Sequence, residues 1–217
     1  MQYKLVCFDL DGTIVDETIF IWQTIHDFLE TDSNQREQAK TAFEKGNITY
    51  AEWAGNDIRM WKEKGAKKED ILDAIRPLKL MKNAESTLTQ LKEKGIKLAL
   101  ISGSMDIVLD HLLPEYDHIF DYIFINRIVF KGEEIEKIIT TPYDFHHKAK
   151  ALRLISEQEN IHLDECVFVG DHHNDVGVAK IAGLSISFNS KSKELDSISD
   201  VIIKEKNLNK VLKFILS

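Results

Sequence analysis

Cysteine is scarce in this sequence, and long apolar runs are missing from it. The 217 residues include two cysteines, Cys7 and Cys166, and both lie in apolar, strand-like segments. We interpret them as buried thiols rather than as a disulfide or a redox pair, which favours a reducing compartment. The first residues lack the basic-then-apolar pattern of a signal peptide, and no apolar run approaches the roughly 18 residues of a membrane helix. These features predict a cytoplasmic protein without a membrane partner.

Positive charge is also in short supply. The 28 lysines and arginines are outnumbered by 36 acidic residues, which gives a formal net charge of −8. Because binding to a nucleic-acid backbone depends on clustered basic residues, this balance predicts that nucleic acids are not partners. An acidic protein can still bind a small phosphate when a metal and a few local cations supply positive charge. The length allows one large α/β domain or a core with a modest insertion.

Two aspartates follow the first apolar segment. The segment Leu5 to Phe8 predicts a buried strand, and it leads into Asp9-Leu10-Asp11-Gly12. Side chains alternate along a strand, so Asp9 and Asp11 share a face, and two such charges require a cation between them or a proton on one of them. The spacing suits one carboxylate as nucleophile and metal ligand and the other as general acid and base. Such a pair can also be only the solvated end of a strand.

The rest of the chain divides into a helical segment and an alternating one. Between residues 16 and 76 apolar residues recur at helical spacing, with no predicted strand, and we interpret aromatic residues such as Trp22 and Trp53 as core packing rather than as substrate contacts. From Ala84 onward helices alternate with short apolar strands, which predicts an α/β fold with a parallel sheet covered on both faces. The predicted division is a core of residues 1–15 and 78–217 with a helical insert at 16–77. The strands after the insert are predicted at 97–101, 122–125, 127–130, 133–139, 166–169, 185–188 and 201–203.

Further polar residues follow two of these strands. In parallel sheets the ligand site lies beyond the carboxyl ends of the strands. The hydroxyl of Ser102 and the amides beside it can hold phosphate oxygens, although Ser102 or Ser104 can equally cap the next helix. Asp171 can complete the oxygen shell of a magnesium ion, while Asp175 can serve as a helix N-cap. The three strand ends therefore predict one shared site.

These residues, in this order, resemble the four motifs of the haloacid dehalogenase superfamily, most of whose members are phosphohydrolases. The resemblance covers nearly the whole chain, and the order of four motifs is far more specific than any one of them. It implies a Rossmann-like parallel core with a helical cap inserted after the first strand. The matching residues are Asp9-x-Asp11-x-Thr13, Ser102, Lys148 and Gly170-Asp171-x-x-Asn174-Asp175.

By position, the resemblance implies an Mg²⁺-dependent hydrolase of small phosphorylated metabolites that works through an aspartyl phosphate. Asp9 would attack phosphorus, and Asp11 would protonate the leaving alcohol and then activate water. The metal ligands would be Asp9, the backbone carbonyl of Asp11, and Asp171, with Asp175 supporting the loop. The substrate-binding residues would be Thr13, Glu17, Ser102, Gly103, Lys148 and Asn174.

Three shorter strings are similar to the phosphoserine phosphatase family, namely residues 16–19, 43–50 and 126–129. In that family an acid at the position of Glu17 faces the substrate amine. The arginine that binds the substrate carboxylate aligns with Asp57 here, and Arg59 lies two residues further on. The substrate therefore stays open between phosphoserine and another phosphomonoester, such as a sugar phosphate, phosphoglycolate or a nucleotide. Phosphoryl transfer to a second hydroxyl, as in a phosphotransferase or mutase, and a non-catalytic phosphate-binding or receiver-like protein are the alternatives.

Overall fold

A seven-stranded sheet forms the centre of the computed structural model, which describes residues 3–144 and 147–217. The strand order is β6-β5-β4-β1-β7-β8-β9, and a two-stranded ribbon of β2 and β3 lies apart from it. The strands are β1 Leu5–Phe8, β2 Val15–Asp16, β3 Lys79–Leu80, β4 Lys97–Met105, β5 Tyr122–Lys131, β6 Glu134–Ile139, β7 Cys166–Gly170, β8 Leu184–Phe188 and β9 Val201–Ile203.

The large sheet is parallel except for β6, which runs antiparallel to β5. Its central strand β1 is completely buried, and alternate residues enter two separate hydrophobic clusters: Val6 and Phe8 on one face, Leu5 and Cys7 on the other. Burial on both faces explains why the strand sequence is apolar throughout rather than alternating. The predicted α/β fold, with a mostly parallel sheet between helices, is confirmed.

Helices cover the sheet and also fill the long connection between β1 and β4. Four of them, α1 to α4, follow β1 in the chain. The helix α3 begins with a capping box in which Thr49 and Glu52 bond each other's backbone amides. The α-helices are α1 Ile21–Phe28, α2 Ser33–Glu44, α3 Tyr50–Glu63, α4 Lys68–Ile75, α5 Ala84–Glu93, α6 Asp106–Leu112, α7 Tyr116–Ile119, α8 Lys148–Glu159, α9 Val176–Ala179, α10 Lys193–Ile198 and α11 Leu212–Ile215.

The structure corrects several predicted boundaries. Strand β4 does not stop at Ser102 but continues to Met105, with an irregular register between Ile101 and Met105. Strand β5 is one strand rather than two, because the buried side chain of Asn126 accepts a hydrogen bond from the Thr141 amide, so this polar residue does not end the strand. The predicted helical insert at 16–77 begins with a strand residue, because Asp16 belongs to β2 and pairs with Lys79 of β3.

The sheet order places the three strand ends that predict the shared site side by side. Strands β4, β1 and β7 are neighbours; Asp9 and Asp171 follow the last residues of β1 and β7, and Ser102 follows Ile101, where the regular pairing of β4 ends. Parallel pairing means that these ends meet at one edge of the sheet. Within the described part of the chain, no helix is both long and apolar enough to span a bilayer.

Candidate active site

Asp9 and Asp11 are both buried where β1 ends. The Asp9 amide donates to the Val169 carbonyl at 3.0 Å, which continues the β1–β7 pairing up to the aspartate. The Asp11 carboxylate accepts from Ser104 Oγ at 2.8 Å and from the amide of Ile21, the first residue of α1, at 2.7 Å. Asp11 is thus held between β4 and the first helix after the motif, by contacts that Asp9 does not share.

The environment of Asp11 favours its protonated form. Burial raises the pKa of this carboxyl from 3.8 to about 7, the Ile21 amide opposes the shift, and the negative charge of Asp9 adds to it. A carboxyl with a pKa near neutrality can both donate and accept a proton at the pH of a cell. This is the property that a general acid and base requires.

Lys148, at the start of α8, is a buried cation between two carboxylates. Its Nζ lies 2.8 Å from Asp9 Oδ1 and 2.7 Å from Asp175 Oδ1, and 1% of the residue is exposed. Burial disfavours the ammonium form, but the charges of Asp175 and Asp9 outweigh it and raise the pKa of Lys148 above its ordinary value. Lys148 therefore carries its charge inside the protein and fixes the Asp9 side chain.

Asp175 holds the loop that follows β7. Its Oδ2 accepts from the amides of Asp171 and His172 at 2.9 and 3.1 Å, while its Oδ1 bonds Lys148. Its side chain does not cap α9, so that alternative from the sequence is wrong. Gly12 packs against the same loop with φ of +73°, and a Cβ there would lie 2.3 Å from Asp171 Oδ2. The first motif and the last therefore meet without room for a side chain between them.

The acidic cluster fits a divalent cation. One carboxylate oxygen from each of Asp9, Asp171 and Asp175 lies within 4.8 Å of the others. Asp171 Oδ1 is buried and has no hydrogen-bond partner among the described residues, and burial and then the charge of Asp9 raise the pKa of Asp171. Because Asp175 is occupied by Lys148 and two amides, Asp9 and Asp171 are the side chains left to ligate. Hard carboxylate oxygens are ligands that Mg²⁺ prefers.

The segment Ser102 to Ser104 lies beside Asp9 on β4. The Ser104 amide donates to Ser102 Oγ at 3.2 Å, and helix α6 has Met105 as N-cap without a side-chain bond, so the helix-capping alternative for the serines is wrong. Two more polar oxygens of the predicted set, Thr13 Oγ1 and Asn174 Oδ1, are buried and find no hydrogen-bond partner within residues 3–144 and 147–217. Asn174 lines the cavity above these residues, so its oxygen is available to a ligand there, whereas Thr13 is fully buried.

A cavity of about 480 Å³ opens above these residues. Asp9, Asp11, Ser102, Gly103 and Asn174 line one side of it. Helices α1 to α3 and the residues before α1 line the other side, with aromatic side chains at four positions. Trp22 packs against the main hydrophobic cluster, as our interpretation of core packing expects, and Trp22 and Trp53 also contact the open space. The four aromatic residues are Phe20, Trp22, Tyr50 and Trp53.

The predicted substrate-recognition residues fall in different places. Glu17 is exposed, has φ of +66°, and does not line the cavity. Arg59 lies in a groove against β6 and pairs with Glu63 at 3.0 Å. Asp57 does line the cavity, and within the described chain the arginine that lines it is Arg36 of α2, whose Nε lies 3.9 Å from Asp57 Oδ2. Sequence reasoning missed Arg36, because no motif marks it.

The fold and the buried lysine among carboxylates together define a class of hydrolase. The family of haloacid dehalogenase-like hydrolases matches residues 3–183 of the chain. The chain belongs to this family, which confirms the resemblance of its four motifs.

Within the family the chain is similar to phosphoserine phosphatases. That of Methanocaldococcus jannaschii is 28% identical over 215 residues, which span 98% of this chain and 97% of the relative. That of Campylobacter jejuni subsp. doylei is 28% identical over 214 residues, spanning 98% and 99%. A solved phospho-aspartyl intermediate analogue of phosphoserine phosphatase superposes with a TM-score of 0.75 at 26% identity, over 99% of this chain and all of that one.

Proposed function

We propose that this protein hydrolyses a small phosphomonoester, with Mg²⁺, through an aspartyl phosphate on Asp9. The observation that carries the proposal is the position of Asp9, which lines the cavity while Lys148 holds its carboxylate at 2.8 Å from behind. A nucleophile fixed in this way, next to a carboxyl with a pKa of about 7, has the two functional groups that the reaction needs. The two free, buried cysteines support a protein of the reducing cytoplasm.

In the first half of the reaction a carboxylate oxygen of Asp9 attacks phosphorus and the bond from phosphorus to the alcohol oxygen breaks. Asp11 donates its proton to that oxygen. In the second half Asp11 takes a proton from water, whose oxygen attacks phosphorus, so that inorganic phosphate leaves and Asp9 is restored. Thr13, Ser102 and the Gly103 amide hold phosphoryl oxygens. Asp9, the Asp11 carbonyl and Asp171 would hold Mg²⁺, which would supply positive charge to offset the phosphoryl oxygens.

The helices of residues 16–77 act as the cap that selects the substrate. The names of the two relatives support phosphoserine, and Arg36 provides the cavity with a cation for a carboxylate. Asp57 stands where the family has the arginine that binds the carboxylate of phosphoserine, so other phosphomonoesters stay candidate substrates. The proposed class is therefore a small phosphorylated metabolite, with phosphoserine as the first member to test.

The test compares phosphoserine, phosphoglycolate, a sugar phosphate and a nucleoside monophosphate by kcat/KM with Mg²⁺ and with a chelator. We expect turnover that the chelator abolishes. Radiolabelled substrate should also leave a hydroxylamine-sensitive phosphoryl label on acid-quenched protein. Added acceptor alcohols distinguish hydrolysis from transfer, because a phosphotransferase would form new phosphoesters.

Asp9→Asn is the decisive variant. An amide does not attack phosphorus, so we expect turnover to fall by about 10⁵-fold and the phosphoryl label to disappear, with the fold retained by circular dichroism. Metal-independent turnover, or ordinary activity of folded Asp9→Asn, would remove the proposal.

A further inference from the structure

Asn126 is a fully buried polar residue in β5 that the proposed mechanism does not use. Its Nδ2 donates to the Gly103 carbonyl at 2.7 Å and to the Tyr50 hydroxyl at 2.8 Å. Its Oδ1 accepts from the Thr141 amide at 2.9 Å. Both amide hydrogens and the carbonyl oxygen of this side chain are therefore used, and each reaches a different segment of the chain.

The geometry of β4 explains the bond to Gly103. The β4–β5 ladder pairs Ile101 with Phe124 and then resumes with Met105 opposite Asn126, so that three residues on β4 face one on β5. Residues 102–104 thus bulge out of the ladder, and the Gly103 carbonyl takes side-chain donors in place of a strand partner. Bulges of this kind re-aim residues beside active sites. Asn126 is the residue of the sheet that holds the bulge of residues 102–104 in place.

Two helices of the cap join the same point. Trp22, on α1, donates its indole N–H to the Gly103 carbonyl at 2.8 Å. Tyr50 is the first residue of α3, and its hydroxyl bonds Asn126 and also Asp144. Asp144 in turn leaves no room for a side chain at Gly103, where a Cβ would lie 2.0 Å from Asp144 Oδ2. We call Trp22, Tyr50, Asn126 and Gly103 the polar latch.

We infer that Asn126 is a positioning residue and that the polar latch couples the seating of α1 and α3 to the orientation of residues 102–104. The inference rests on the proposed function, in which that segment holds phosphoryl oxygens. When Trp22 and Tyr50 reach the Gly103 carbonyl and Asn126, the cavity is covered and the phosphate-binding segment is set in one event. Closing a site and completing its catalytic groups together limits reaction to the covered state.

A double-mutant cycle on the turnover of p-nitrophenyl phosphate tests the coupling. We expect Tyr50→Phe to lower kcat/KM by about tenfold and Asn126→Ala by about 100-fold, because small displacements of positioned groups are costly. Since both substitutions remove the same Tyr50–Asn126 bond, the loss in the double variant should be much smaller than the product of the two single losses. Tyr122→Phe is the matched control. Tyr122 lies on β5, like Asn126, but its hydroxyl bonds Glu159 of α8, so its removal should leave the rate unchanged. Multiplicative losses in the double variant would overturn the inference.

Hydrogen exchange gives a readout that does not depend on catalysis. Tyr50→Phe should speed amide exchange at residues 102–106, more than 45 positions away in sequence, whereas Tyr122→Phe should not. If Asn126→Ala does not fold, Trp22→Phe combined with Tyr50→Phe completes the measurement. If the latch variants lower thermal stability but leave kcat/KM and amide exchange at residues 102–106 unchanged, Asn126 has only a structural role and the inference is wrong. Failure of the wild-type protein to turn over any phosphomonoester would instead count against the proposed function.

Discussion

The two walls of the cavity are held together by different kinds of interaction. On the sheet side, Lys148 is buried and lies 2.7 to 2.8 Å from two buried carboxylates. On the helical side, the ion pairs are long: Arg36 Nε lies 3.9 Å from the buried Asp57 carboxylate, and the more exposed Lys40 lies 4.0 Å from Glu37 and 3.9 Å from Glu44. Buried charge pairs hold one geometry because breaking them leaves an uncompensated charge, while exposed pairs contribute little.

Under the proposed function, the sheet wall binds the reacting phosphoryl group and the helical wall selects the rest of the substrate. A phosphoryl group always presents the same atoms, so the wall that handles it can be rigid and preorganised. The rest of the substrate varies between members of a family, and a wall of helices with loosely held charges can change without disturbing the reacting groups. We therefore expect substitutions on the sheet side to cost both stability and rate, and those on the helical side, apart from Trp22 and Tyr50 of the polar latch, to cost selectivity alone.

The largest effect should come from Lys148→Met. The substitution keeps the length of the side chain but leaves the buried carboxylates of Asp9 and Asp175 without their cation. We expect a loss of about 3–5 kcal/mol in the free energy of unfolding and loss of measurable turnover. Urea denaturation in metal-free buffer and a phosphatase assay measure the two effects.

Lys150→Met is the matched control, because Lys150 lies on the same helix and is exposed. It should change the free energy of unfolding by less than about 0.5 kcal/mol. Equal losses for the two variants would show that the sheet wall is no more tightly held than the surface of α8, and the contrast between the walls would be lost.

A smaller effect should appear in the pH dependence of the first half-reaction. In the proposed mechanism Asp11 must be protonated to release an alkyl alcohol, and burial raises its pKa to about 7. As pH rises above this value the protonated fraction falls, so the rate of enzyme phosphorylation by an alkyl phosphate should fall about tenfold per pH unit. With p-nitrophenyl phosphate the leaving group needs no proton, and the rate should stay level. Rapid acid quench measures both, and equal slopes would assign the titration to another group.

The residues of the sheet wall could be predicted because their chemistry restricts residue type. Carboxylates are needed for a hard cation, and each group follows an apolar strand that periodicity can locate. Strand pairing then makes neighbours of β4, β1 and β7, so the structure brings Asp9 to Lys148 and sets Asp171 beside both. The three strand ends are enough to propose that Asp9, Ser102 and Asp171 meet, whereas the place of Lys148 is implied only by the resemblance to the family.

The helical wall could not be predicted in the same way. Helix α2 is rich in polar side chains and contains no buried residue, so a burial pattern does not indicate which side of it faces the cavity. Trp22 and Trp53 fit a core pattern and a cavity wall equally well, since both need apolar rings at helical spacing. Asn126 falls between the strands predicted at 122–125 and 127–130, because the hydrogen-bond partners that a buried amide requires come from distant segments that the sequence does not reveal.

The smallest effect should come from Arg36→Gln, on the helical wall. If phosphoserine is the substrate, the guanidinium of Arg36 pairs with its carboxylate, and its loss should raise KM for phosphoserine by about tenfold with little change in kcat. Turnover of p-nitrophenyl phosphate, which has no carboxylate, should stay within about twofold of the wild type, since a remote binding contact leaves the reacting groups unchanged.

Arg59→Gln is the control that makes the result specific. Arg59 lies two residues beyond Asp57 on α3, but it faces the groove against β6 and pairs with Glu63 rather than lining the cavity. Its substitution should leave the kinetics of both substrates unchanged. A raised KM in Arg59→Gln with a normal Arg36→Gln would mean that α3 presents its other face to the substrate. The helical wall would then have to rotate during the reaction, and its loosely held ion pairs would be the contacts that permit it.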